Sequence, residues 1–167
     1  MAETAKQYVG RILAYIGKQK PVSVLKSTPA RLERVLRGVP AKKLRRRPAP
    51  GKWSIAEIVL HLADSEMILG YRYRTILAKN RARIVAVNQD DWAASGLYQR
   101  RDLRAALEMF RAVRRANLEL LGAIPRKQWS NYGLHSERGK ESLAHIVQLY
   151  AGHDLNHLLQ IQRILKG

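Results

Sequence analysis

Residues 142–166 read SLAHIVQLYAGHDLNHLLQIQRILK, and this stretch decides the fold class. Apolar residues recur at the three- and four-residue spacing of an amphipathic helix. At about 100° per residue, Leu143, Ile146, Val147, Tyr150, Ile161, Ile164 and Leu165 fall within an arc of about 100°. His153, Asp154 and His157 fall inside the same arc, whereas His145, Asn156 and Arg163 lie opposite. Burying an unpaired polar group costs about 1–3 kcal/mol, so something must satisfy these three. One reading is a divalent cation, because imidazoles at i and i+4 project the same way with Cβ atoms about 6 Å apart. The plainer reading is a pair of core histidines bonded to Asp154 and to backbone.

The rest of the chain repeats the helical pattern. AETAKQYVGRILAYIGKQK is a first amphipathic segment, stopped near Pro21. TPARLERVLRGV is expected to open a second helix, with Thr28 as N-cap and Pro29 at the first helical position. Gly38 and Pro40 end it, and the basic linker AKKLRRRPAPGKW follows. Ser54 with Glu57 three residues later is a capping-box signature. It opens a helix whose stripe is Ile55, Val59, Leu62, Leu69, Tyr73 and Ile76. His61 lies on the flank of that stripe, where a neighbouring helix could meet it, and is the candidate third imidazole. NRARIVAVNQDDWAASGLYQ breaks the periodicity and reads as a long connection. Asp102 caps the next helix, which ends before Pro125; PRKQWSNYGLHSERGKE reads as a loop, and Ser142 caps the last helix. Strand signals are weak. The expected fold is all-α: a four-helix bundle with an additional N-terminal helix, in one domain over residues 1–167. Residues 1–20 are its N-terminal helical extension and about 28–165 its core.

Composition narrows the function. The 167 residues suffice for one real core. No apolar run approaches the roughly 20 residues needed to cross a bilayer, and no long apolar leader opens the chain, so a cytoplasmic protein without a membrane partner is expected. Cysteine is absent. Any metal must therefore use His, Asp, Glu, backbone or water, and any thiol chemistry must use a thiol carried in by a substrate. The 31 Lys and Arg against 13 Asp and Glu give a net charge of +18, which attracts polyanions and anionic small molecules. The alternative reading is thus a basic helical binding module that contacts nucleic acid without catalysis. No helix-turn-helix signature or aromatic platform accompanies the charge, and a solvated basic linker is the plainer account.

Two blocks carry a resemblance. RPAPGKWSIAEIVLHLADSE, residues 47–66, and ERGKESLAHIVQLYAGHDLNHLLQIQRIL, residues 137–165, resemble the DinB superfamily in its DinB/YfiT-like branch of small four-helix metalloproteins. The first matches the Trp-Ser lead-in to the helix bearing the first metal histidine. The second matches the helix with a His-x-x-x-His pair followed by Gln-Ile. VNQDDWAASGLY sits where the family has an Asp- and Trp-containing connection. The resemblance implies metal ligands His61, His153 and His157, with open positions for water or substrate. It implies a metal-dependent hydrolase or a low-molecular-weight-thiol S-transferase acting on a small molecule, with a small thiol as cosubstrate in the second case, and a homodimer. Relatives carry a His-Pro-Glu-like motif before the last helix; here LHSERG places His135 and Glu137 with Ser136 instead of proline. His135 is a candidate pocket residue, with an exposed loop histidine as the plainer reading.

All-nitrogen ligation suits zinc, nickel, iron or copper. Asp64, one turn from His61, and Asp154, beside His153, are candidates to orient an imidazole through its free N–H. Asp90 and Asp91 beside Trp92 have no spacing argument that places them at the site.

Overall fold

The structure, a computed structural model, describes residues 3–167. Four long helices form the bundle: α2 (Pro21–Leu36), α4 (Ile55–Ala78), α6 (Leu103–Ala123) and α7 (Leu143–Lys166). Helix α1 (Ala5–Ala14) packs along α7, and two short helices, α3 (Ala41–Arg45) and α5 (Gln89–Ser95), lie in the connections. The polar N-caps hold as the sequence implies. Ser54 and Glu57 form the capping box of α4, Asp102 accepts from Arg104 N on α6, and Ser142 accepts from His145 N on α7.

Helix α2 begins a full two turns before the expected cap. Pro21 occupies its first position, so the proline read as a stop is a start. Thr28 lies inside the helix, its hydroxyl donating to Val24 O at 2.9 Å. Pro29 is also internal and has no N–H to give to Leu25 O. That carbonyl is satisfied from another helix: Arg114 Nη1 of α6 donates to it at 2.7 Å. A tertiary hydrogen bond replaces the missing helical one.

The expected loops contain a small sheet. Strands β1 (Ala82–Ile84), β2 (Tyr132–His135) and β3 (Gly139–Ser142) lie in the order β1-β2-β3, parallel then antiparallel. The β2–β3 hairpin turns through Ser136–Arg138 and enters β3 at Gly139, whose φ of +74° favours glycine. Three strands this short carry too few alternating residues to announce themselves. They are held by packing on α4 and by β3 running straight into α7.

Two apolar clusters fill the bundle. One holds Leu25, Leu69, Leu121 and Ile146; the other holds Leu32, Leu62, Phe110 and Leu158. Between these levels Arg114, buried, pairs with Asp154 of α7 at 2.7 Å and with Glu66 of α4 at 2.8 Å. With its bond to Leu25 O, one guanidinium links all four bundle helices.

Helix α1 is seated through Gly152. A Cβ there would stand 2.2 Å from the Ile12 carbonyl oxygen, a backbone atom that no rotamer change can move. The variant Gly152→Ala is therefore expected to lift α1 from α7 at a cost of about 1–3 kcal/mol. Hydrogen exchange will show α1 amides losing protection while those of α4 and α6 keep it; unchanged protection in α1 would refute the contact.

Candidate metal centre

Helix α4 carries His61 on its inner face and α7 carries His153 and His157 one turn apart. The structure brings the three imidazoles together. His61 Nε2 lies 3.0 Å from His153 Nε2, which lies 3.1 Å from His157 Nε2. These histidines form the one cluster of potential metal ligands among the described residues, their ligand atoms all within 4.8 Å of one another. Three nitrogens at about 2.0–2.1 Å from a tetrahedral ion stand roughly 3.3 Å apart, so a small outward movement of the rings accommodates one. Gln160 Oε1 lies 3.0 Å from His157 Nδ1, where it accepts that ring's N–H and leaves the Nε2 lone pair facing inward. Trp53 covers the other flank, its ring 4.9 Å from that of His61.

Burial lowers the proton affinity of each ring. Desolvation, and then the neighbouring imidazoles, hold His61 and His153 well below the usual histidine range. Desolvation, partly offset by the Gln160 hydrogen bond, takes His157 down to about 4. Neutral imidazole is the form that ligates a metal. The Nδ1 of His153 is buried and has no hydrogen-bond partner among the described residues.

The plainer reading, in which Asp154 satisfies the histidines, does not hold. Both Asp154 oxygens accept from Arg114, at 2.7 and 3.2 Å, and neither meets an imidazole. Asp64 likewise makes no hydrogen bond to the His61 ring: it accepts from Tyr98 Oη at 2.7 Å and from Arg101 at 3.2 Å. The ring-orienting contact belongs to Gln160, whose signal in the sequence is only its i+3 spacing from His157. His135 is no exposed loop residue. It is buried on β2, its Nδ1 accepting from Glu137 N at 3.2 Å and Arg138 N at 3.4 Å, and it braces the hairpin rather than joining the cluster. Asp90 and Asp91 sit exposed in the first turn of α5, while their neighbours Gln89 and Trp92 line the cavity. His145 stays outside the site, as its phase implies.

The cluster opens into a cavity of about 480 Å³, within the range of small-molecule sites. His61 and His153 lie in its lining with Asp64, Ser65, Arg72 and Tyr150, and α1 closes one side through Tyr8. The basic linker does not contribute. Much of its charge is engaged internally: Lys43 donates to Leu165 O at 2.9 Å, Arg45 to Gln99 O and Arg101 O at 2.7 and 2.8 Å, and Arg47 pairs with Glu57.

These shifts set an acid limit on the metal-free fold. Buried His61, His153 and His157, together with His135, which burial lowers to about 4, bind protons less readily folded than unfolded. Between about pH 6.5 and 4 the unfolded chain holds more protons, so stability falls as pH falls through that window and is fully present above it. The slope reaches at most about 1.4 kcal/mol per pH unit for each imidazole. Urea unfolding of chelator-treated protein at pH 7.5, 6 and 5 will show the decline; a constant midpoint would exclude it.

A helical bundle with three convergent imidazoles beside a cavity that two of them line defines a class of compact three-histidine bundle proteins. A model of the DinB superfamily matches residues 25–161, and the chain belongs to that superfamily. A protein of Bacillus mycoides (strain KBAB4) named "Putative metal-dependent hydrolase" is 24% identical over 154 residues, covering 92% of this chain and 88% of its own. One of the same name from Bacillus cereus (strain 03BB102) is 22% identical over 145 residues, covering 87% and 83%. The fold matches that of YfiT from Bacillus subtilis, described as "a probable metal-dependent hydrolase with an unusual four-helix bundle topology". The TM-score is 0.83 at 20% identity, over 99% of this chain and 89% of that one. No helix among the described residues is long and apolar enough to cross a membrane.

Proposed function

We propose that the chain is a metal-dependent enzyme acting on a small molecule, a hydrolase in the first instance, with a divalent ion held by His61, His153 and His157. The observation that carries this reading is the convergence of three buried Nε2 atoms, two of whose rings, His61 and His153, line an open cavity. The names borne by its relatives support the same reading. A divalent ion held there supplies a Lewis acid that polarises a carbonyl or activates water or a thiol. Zinc, nickel and iron all suit three imidazoles.

The chain's own residues divide the remaining work. Gln160 holds the His157 ring, and Trp53 closes the flank of His61. Asp64 is the buried carboxylate among those lining the cavity; Tyr98 and Arg101 fix its direction. We assign it the role of accepting the proton of an attacking nucleophile, on the ground that it is the buried carboxylate in the cavity lining. The cavity takes a small substrate, and a thiol cosubstrate in the transferase variant of this reading, because the chain has no cysteine of its own.

The test is elemental analysis of the purified protein beside a His153→Ala, His157→Ala double variant. About one divalent ion per chain is expected in the first and none in the second; equal content in both removes the proposal. Amide and ester substrates, then thiols with electrophilic acceptors, separate hydrolysis from thiol transfer. The variant Asp64→Asn is expected to keep its metal and lose about 10²–10⁴-fold in turnover.

A further inference from the structure

We propose that Arg72 is the anchor for a carboxylate group on the substrate. This rests on the proposed function and names the chemical class its substrate belongs to. Arg72 is 3% exposed, yet it lines the cavity, and no carboxylate lies within ion-pair range of it among the described residues. Its partners are neutral. Nη1 donates to Tyr150 Oη at 2.7 Å and Nη2 donates to Val85 O at 3.2 Å; His135 Nε2, 3.3 Å from Nη2, carries that ring's proton because Nδ1 accepts two backbone N–H groups, so it offers the guanidinium no acceptor. The Nε–H makes no hydrogen bond among the described residues.

A guanidinium is always protonated, and a buried charge without a counter-ion is costly. The other cavity charges are committed. Arg138 pairs with Glu141 at 2.6 Å, Asp64 with Arg101, and Glu3 with Arg11 at 2.7 Å. Glu137 lies exposed at the rim, beyond ion-pair distance from Arg72. Arg72 is therefore a buried cation facing a cavity in which Asp64 and Glu3 are held by other arginines and the exposed Glu137 stands out of ion-pair reach. One guanidinium edge with one positive charge matches the two oxygens and single charge of a carboxylate.

Its position relative to the histidines follows from the helix. His61, Ser65, Ile68 and Arg72 follow one another at three- and four-residue steps down one face of α4, and all four line the cavity. Eleven residues rise about 16 Å, and a long helical side chain leans back toward the N-terminus. Tyr150 closes the gap, its hydroxyl on Arg72 and its ring 5.5 Å from that of His153. A substrate held at both ends places its carboxylate on Arg72 and its reacting carbonyl over the imidazoles.

The probes are straight-chain dicarboxylic acid monohydroxamates of graded length, each beside its carboxamide counterpart, titrated into zinc-loaded protein. The hydroxamate takes the metal and the far end reports the anchor. At one chain length the carboxylate probe is expected to bind at least about tenfold tighter than the carboxamide. Arg72→Met is expected to bring that ratio to about one, and Arg72→Lys to restore part of it. Equal affinity of the two series at every length in the unmodified protein overturns the inference and leaves Arg72 a brace between α4 and the sheet. The unmodified protein decides this even if the variants do not fold. Zinc content is measured on the same sample: failure to retain zinc defeats the proposed function and this inference with it, whereas retained zinc without a charge preference defeats this inference alone.

Discussion

Replacing Arg114 with leucine will cost the fold about 3–5 kcal/mol, the range for breaking a buried ion pair from one side. The side chain is buried, as are Asp154 and Glu66, so the variant strands two carboxylates in the bundle interior. It also uncovers Leu25 O, which Pro29 cannot serve. Against a total stability of about 5–15 kcal/mol this is a large fraction, and at about 2–4 °C per kcal/mol the melting temperature falls by roughly 6–20 °C. Lost packing alone cannot be mistaken for this effect. Adding Glu66→Gln and Asp154→Asn to Arg114→Leu removes the stranded charges and is expected to recover part of the loss. A triple variant no more stable than the single one would show that charge is not the cause. Arg114→Lys is expected to fall between, because one ammonium cannot reach three helices in a fixed fork.

Zinc at one hundred times its dissociation constant will stabilise the chelator-treated protein by about 2.7 kcal/mol, a rise in melting temperature of roughly 5–11 °C. The unfolded chain has no preformed site, so the binding free energy appears as folding free energy. His153 is the central imidazole of the proposed site, its Nε2 within 3.1 Å of both neighbours. The variant His153→Ala is therefore expected to abolish the shift, while Gln160→Ala weakens it about tenfold to a hundredfold in affinity, as removal of a ring-orienting partner does. Scanning calorimetry with and without the metal reads both. An equal rise in His153→Ala would mean that zinc binds elsewhere.

Much of the bundle is legible residue by residue. The Leu143–Val147 and Ile161 stripe, the Ile55–Ile76 stripe and three polar N-caps all lie where local periodicity and capping chemistry put them. The histidine pair at 153 and 157 is a matter of helical pitch, and so is its place in the buried arc.

What local pattern determined in this protein is therefore the set of helical faces and which of them carry imidazoles, because an i,i+4 spacing acts within one segment and needs no partner. What only the tertiary structure decided is everything that depends on who lies across the interface. Thr28 and Pro29 form a good helix start in isolation, yet Arg114, 85 positions beyond Pro29, supplies the bond that lets α2 run through them. Asp154 has the phase of an imidazole's partner, but that same guanidinium holds it. The three short strands exist because β1 and β2, separated by α5 and α6, meet on α4, and His135 is buried for the same reason. An unpaired buried arginine such as Arg72 cannot be read from spacing at all, because being unpaired is a property of the surroundings and not of the segment.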